Sequence, residues 1–150
     1  MKNIAHSIRA YDEAADLQAL LAIWFDASLL AHAFIGEEHL RAQRVLVEEK
    51  YLPNAESWVA CHGQTPIGFV SLLGSHVGGL FVAPDHQGQG IGRALIAHAL
   101  ALRGELRLNV YVRNAKAFSF YKSLGFRELS RRGEDDEGLP FEIAELQLTA

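Results

Sequence analysis

The spacing of apolar residues along the chain alternates between the two-residue period of strands and the longer period of helices. Residues 7–11 read as a short first strand, and Asp12 or Glu13 then opens a helix. In that helix Leu17, Leu20, Leu21, Trp24 and Ser28 recur at i, i+3, i+4 and i+7 spacing, which marks one helix face. A second helix is predicted over about 37–52, stopped by Pro53-Asn54. Residues 58–62 and 66–73 form a predicted hairpin about the turn Gly63-Gln64-Thr65. A strand over 77–82 ends before Pro84. The helix that follows places Ile91, Leu95, Ala99 and Leu102 on one face and is closed by Gly104. A strand over 106–112 comes next. The stripe Ala117, Phe120, Tyr121 and Leu124 then reads as a helix with Gly125 at a left-handed C′ position. Strands over 127–131 and 143–148 complete the order βααβββαβαββ, which predicts a mixed α/β sandwich with helices on both faces.

Composition narrows the class. A chain of 150 residues, 49% hydrophobic and 21% charged, is read as a single soluble domain spanning 1–150 with a substantial core. No apolar run is expected to reach the roughly 20 residues of a membrane span, and the N-terminus lacks the apolar core of a leader peptide. Cys61 is the only cysteine, so no internal disulfide forms, in keeping with a reducing cytoplasm. A formal charge of −4 disfavours nucleic acid as a partner. The seven histidines show no metal-binding spacing, so no metal is expected.

The chemistry concentrates in Gln87-Gly88-Gln89-Gly90-Ile91-Gly92, between a predicted strand and a predicted helix. Alternate glycines let the backbone approach a ligand closely. The unpaired N–H groups of the first helical turn and the positive end of the helix dipole favour an anion there. The dinucleotide fingerprint G-x-G-x-x-G fails, because its third glycine falls on Arg93 or Leu95 in the two possible frames. A Walker loop fails because Gly92 is followed by Arg93-Ala94. The pattern that fits is [Q/R]-x-x-G-x-[G/A], filled by Gln87, Gly90 and Gly92. Downstream stands Leu108-Asn109-Val110-Tyr111-Val112-Arg113-Asn114, followed by Phe120-Tyr121-Lys122-Ser123-Leu124-Gly125-Phe126.

Together these segments resemble the coenzyme A loop and the strand–Asn–helix–FYxxxGF segment of the GNAT superfamily of N-acetyltransferases. The stretch from Ile23-Trp24 to His32-Ala33-Phe34-Ile35 is similar to small free-standing bacterial members. The resemblance implies the GNAT acyl-CoA N-acyltransferase fold, an α/β architecture. Its sheet is mixed and mostly antiparallel, with splayed central strands that receive acetyl-CoA. It further implies that Leu80, Phe81 and Val82 pair with the pantetheine arm and supply oxyanion donors. The pyrophosphate would lie on Gln87, Gly88, Gln89, Gly90, Ile91 and Gly92. Arg93, Arg113 and Lys116 stand nearby for the 3′-phosphate. Tyr121 matches the family's general acid, although its apolar stripe also suits plain packing. Asn114 matches a pantetheine-binding asparagine and equally suits a helix N-cap; its amide has both donor and acceptor ends.

No glutamate stands where many relatives place the base. His76 is the titratable residue there, read either as the base or as a solvent-facing strand end. Strand parity would put His76, Gly78 and Leu80 on one face unless Gly78-Gly79 forms a bulge. Acceptor contacts are expected from Trp24, Ser28, His32 and Phe34, with Phe25 and His39 nearby; Trp24 also suits the core. The acidic run Glu134-Asp135-Asp136-Glu137 is read as a solvated hairpin loop, with attraction of a cationic amine as the alternative. The function implied is acetyl transfer from acetyl-CoA to a primary amine of a small molecule or peptide by direct attack in a ternary complex. The alternative is a non-catalytic acyl-CoA sensor, which has no need of an acid or a base. Monomer and homodimer both remain open, since exposed strand edges can pair.

Overall fold

The computed structural model describes residues 6–150; the expectation about a leader falls partly on residues 1–5, outside that span. One sheet contains β1 (His6–Ala10), β2 (Glu56–His62), β3 (Thr65–Leu73), β4 (His76–Val82), β5 (Glu105–Tyr111), β6 (Arg127–Arg132) and β7 (Ile143–Thr149). The principal helices are α1 (Glu13–Ala31), α2 (Glu37–Leu46), α3 (Ile91–Arg103) and α4 (Ala115–Ser123). Spatial order in the sheet is β1-β2-β3-β4-β5-β7-β6, antiparallel at every pairing except β4 with β5. The element order and the mixed α/β class match the reading of the sequence.

Alternation along the strands feeds two cores. Val59, Cys61 and Phe69 meet Leu20, Leu21, Trp24 and Leu40 on the α1/α2 face. Val70, Leu72, Leu108 and Leu146 meet Ile91, Leu95, Ala99 and Tyr121 on the α3/α4 face. Asp12 caps α1 by accepting the Ala14 N–H. One turn on, buried Asp16 receives a two-pronged bond from the Arg9 guanidinium at 2.7 and 2.8 Å, and this contact holds its carboxyl below the usual range.

Two expectations change and one gains detail. Contrary to the reading of short apolar runs, α1 is long and apolar enough, at mean hydropathy 1.4, to cross a bilayer by length and composition alone. Its Leu20, Leu21, Ile23, Trp24 and Ala27 are buried in this fold. The second helix does end at Pro53-Asn54, but irregularly: α2 passes through a wide turn, Val47–Tyr51, and a last turn, Leu52–Asn54, before extended Ala55. Leu102 is exposed, because the inward row of α3 proceeds by fours through Ile91, Leu95 and Ala99 to Arg103. Arg103 donates to Glu56 Oε1 at 2.8 Å and to the Gly74 carbonyl at 3.0 Å.

The centre of the sheet positions the site. β4 and β5 pair only at His76–Arg107 and Val77–Leu108, then diverge. On its other side β4 stays paired with β3 as far as Val82. Register there shifts from Ser71–Gly79 to Leu72–Val77, so Gly78 is an extra residue, a β-bulge. The bulge reverses parity: His76 lies on the face of Gly79 and Phe81, opposite Leu80.

Candidate active site

The diverging strands leave a V-shaped gap whose β4 wall is backbone. The Ala83 N–H donates to the Ile67 carbonyl at 2.8 Å. By the alternation of an antiparallel ladder, Phe81 and Gly79 also bond towards β3, while Leu80 and Val82 turn their N–H and C=O groups into the gap. Gln87 reaches back and donates its Nε2 to the Val82 carbonyl at 3.1 Å, closing the end of that edge.

Beyond β4 a short turn, Pro84–His86, leads into the glycine segment. Gly88 and Gly90 hold φ of +80° and +85°, a region that favours glycine, and a Cβ at either would meet nothing within 4 Å. Gly90 caps α3 without a side-chain hydrogen bond, so the first-turn N–H groups are left for a ligand. Ile91 is buried and anchors the helix start, while Gln89 and Arg93 are exposed. Gly92 is glycine for a different reason. A Cβ there would come within 3.2 Å of the Phe120 ring and 3.8 Å of Leu80, so α3, α4 and β4 meet at this point. Lys116 places its Nζ 3.3 Å from Gln87 Oε1 and brings positive charge to the turn. A backbone anion cradle of this kind fits a pyrophosphate, and the open β4 edge fits an amide-bearing arm. Arg113 faces elsewhere: its guanidinium lies 5.0 Å from the Phe34 ring centroid and 5.9 Å from that of Phe141.

Tyr121 is buried on α4 against Phe120 and Phe126. Burial alone pushes its phenol well above the ordinary range, so the proton is retained at neutral pH. Gly125 (φ +103°) ends the helix, with its N–H on the Lys122 carbonyl and the Phe126 N–H on the Tyr121 carbonyl. Asn114 caps α4, accepting the Ala117 N–H on Oδ1 at 3.2 Å. Its Nδ2 lies 3.2 Å from His32 Nε2.

The opposite wall is made of side chains. His32, at the end of α1, has its ring 5.1 Å from Tyr111 and 6.0 Å from Phe34. Phe34 packs edge-on against Tyr111 (5.4 Å) and Phe141 (5.1 Å). Burial lowers the His32 pKa to about 4 and keeps the ring neutral. Trp24 and Ser28 are buried behind this wall, Trp24 against Phe81 and Phe25, so they support the pocket from the core side. Phe25 lies beneath Arg41 and Arg44.

The acidic run is not simply solvated. Asp135 is buried and accepts the N–H groups of Glu137 and Leu139, both at 2.9 Å, and the Tyr111 hydroxyl at 3.0 Å. Glu137 accepts a bond from Gln43 and lies 2.9 Å from His39 Nε2, an ion-pair distance. The β6–β7 loop is thereby strapped to β5 and α2. Sequence reading missed Tyr111, Asp135 and Phe141. The signal for Asp135 was turn chemistry, an aspartate three residues before Gly138 (φ +77°). His76 lines a groove of about 160 Å³ with Asn109, Ser130, Arg132, Ile143 and Glu145, on the same face as Tyr111. A larger depression of about 480 Å³ lies along the start of α1, lined by Glu13, Ala14, Ala15, Leu17 and Gln18, and holds none of these groups.

Residues 53–128, which carry β4, the glycine turn and α4, match the Acetyltransferase (GNAT) domain family. The chain is 39% identical over 130 residues to the peptidyl-lysine N-acetyltransferase YjaB of Salmonella typhimurium, covering 86% of this chain and 89% of the relative. The chain belongs to the GNAT acetyltransferase family. The solution structure of apo-form YjaB from Escherichia coli superposes on this GNAT domain with a TM-score of 0.86 at 36% identity, covering 97% of this chain and 99% of the other. The PaiA N-acetyltransferase of Thermoplasma acidophilum, in complex with coenzyme A, shares the fold with a TM-score of 0.77 at 23% identity, over 94% of this chain and 98% of the other. Acetyl-CoA-dependent acetyl transfer is thus the chemistry of this chain, as the sequence resemblance implied.

Proposed function

We propose that this protein transfers the acetyl group of acetyl-CoA to lysine side-chain amines in proteins or peptides. The observation that carries the reading is the β4 edge at Leu80 and Val82, free of a partner strand and running directly into the uncapped, glycine-lined start of α3. The lysine acceptor is supported by the likeness to YjaB, named as a peptidyl-lysine N-acetyltransferase and matched over most of both chains.

When bound, acetyl-CoA supplies a thioester-activated acetyl group. Amides of residues 87–92 hold the diphosphate, with Lys116 alongside and Arg93 on the outer face of the turn. The N–H groups of Leu80 and Val82 orient the arm and stabilise negative charge developing on the thioester oxygen. Phe34, Tyr111 and Phe141 line the approach of the lysine stem, and His32 closes the wall towards α4. His76, turned by the bulge onto the acceptor face, takes the ammonium proton through the polar groove. As the C–S bond breaks, Tyr121 gives its proton to the departing sulfur and is resupplied by the second proton released from the new amide nitrogen.

The test is calorimetric titration with coenzyme A followed by thiol release with lysine-containing peptides and their Nε-blocked counterparts. Binding with release on the free lysines alone is expected. Binding without release on any lysine peptide would overturn the acceptor assignment and favour the non-catalytic sensor.

A further inference from the structure

With the α4 cap intact, the His32–Asn114 contact admits only one arrangement of hydrogens. The Ala117 N–H needs an acceptor, which must be Asn114 Oδ1, so Nδ2 is the end that faces His32. An amide NH₂ can only donate, so His32 Nε2 must be an unprotonated acceptor and the ring proton sits on Nδ1. Desolvation of the half-buried ring agrees with that neutral form. A flipped amide could accept an Nε2–H of the other tautomer, but the α4 cap would then lose its acceptor. With Oδ1 on the cap and one Nδ2 hydrogen on His32, one N–H of Asn114 is uncommitted. It lies at the end of β5, where the gap opens.

We propose that His32 is a positioning residue: by accepting one Asn114 N–H it locks that amide so that the other N–H is held for an amide carbonyl of the acetyl-CoA arm. The role rests on the proposed occupancy of the gap by acetyl-CoA. It also joins the two walls, because the same imidazole packs on Tyr111 and Phe34 of the acceptor side.

Two variants separate hydrogen bonding from packing. His32→Phe keeps an aromatic ring beside Tyr111 but cannot accept, whereas His32→Gln can accept through Oε1. Coenzyme A titration, which needs no acceptor and no turnover, is expected to show about tenfold weaker binding for His32→Phe, and binding within about twofold of wild type for His32→Gln. Adding His32→Phe to Asn114→Ala should weaken binding no further. Nitrogen-15 spectra of the wild-type protein should show His32 with the proton on Nδ1 and Nε2 bare. Wild-type affinity in His32→Phe, equal losses in both variants, or a protonated Nε2 would each overturn the role while leaving the acetyl-CoA reading intact. A wild-type protein that binds no coenzyme A would remove both together.

Discussion

The two walls of the gap are built from different material. The β4 wall and the glycine turn present backbone: N–H and C=O groups of Leu80 and Val82, then the uncapped first turn of α3. The facing wall presents side chains drawn from three separate parts of the chain, His32 with Phe34, Tyr111, and Phe141, braced from behind by Asp135. A backbone wall recognises the unvarying part of a reaction, since nearly any residue supplies the same donors provided that glycine permits the path. A side-chain wall sets which acceptor is admitted and can be rebuilt without disturbing the first.

That contrast can be broken by substitution. Gly90→Glu places bulk, charge and a strained φ of +85° in the anion cradle, and should weaken coenzyme A at least about a hundredfold by calorimetry. Normal binding would show that the turn is not the cradle. Tyr121→Phe should slow turnover at least about tenfold with coenzyme A affinity kept, because only a proton is lost. Asp135→Ala frees the Tyr111 hydroxyl and two loop N–H groups. About a fivefold fall in kcat/KM for the lysine peptide is expected, with coenzyme A binding unchanged. A loss confined to coenzyme A affinity would erase the distinction between the walls.

The smallest effect sharpens the comparison through pH. Burial holds His32 near a pKa of about 4 in the fold against about 6.5 when unfolded, so the unfolded chain binds the extra proton between those values. Stability is therefore full above about pH 6.5 and declines as pH falls towards 4. Thermal melts should drop by a few degrees across that window, and less steeply in His32→Phe. Identical slopes would mean that His32 is not buried neutral.

The same difference explains what the sequence disclosed. Glycines at 88, 90 and 92 and the Tyr121–Phe126 segment are local patterns, so the glycine turn at the head of α3 and the close of α4 were readable from the sequence. The element order followed from apolar periodicity. The facing wall was only half readable: His32 and Phe34 stood out, but Phe34 and Phe141 lie over a hundred positions apart and meet only once the sheet has formed. Asp135 looked solvated because charge runs usually are, and its burial depends on a turn that folds its carboxylate onto its own loop amides. The bulge at Gly78 was visible as a glycine pair, but its effect on His76 required the strand register.

Two residue pairs and one flanking bond, from the Arg107 N–H to the Ser75 carbonyl, are all that join β4 directly to β5. Mechanically the sheet is a book whose covers, β1–β4 and β5–β7, share a short spine. An arm laid along Leu80 and Val82 would act as a missing strand and fasten the covers beyond that spine. Cofactor loading should then appear as slowed amide exchange at Leu80 and Val82 and as a higher melting temperature, rising with ligand by mass action to about 2.7 kcal/mol at a hundredfold excess over Kd. Departure of the spent coenzyme would return the molecule to its looser form before the next acetyl group arrives.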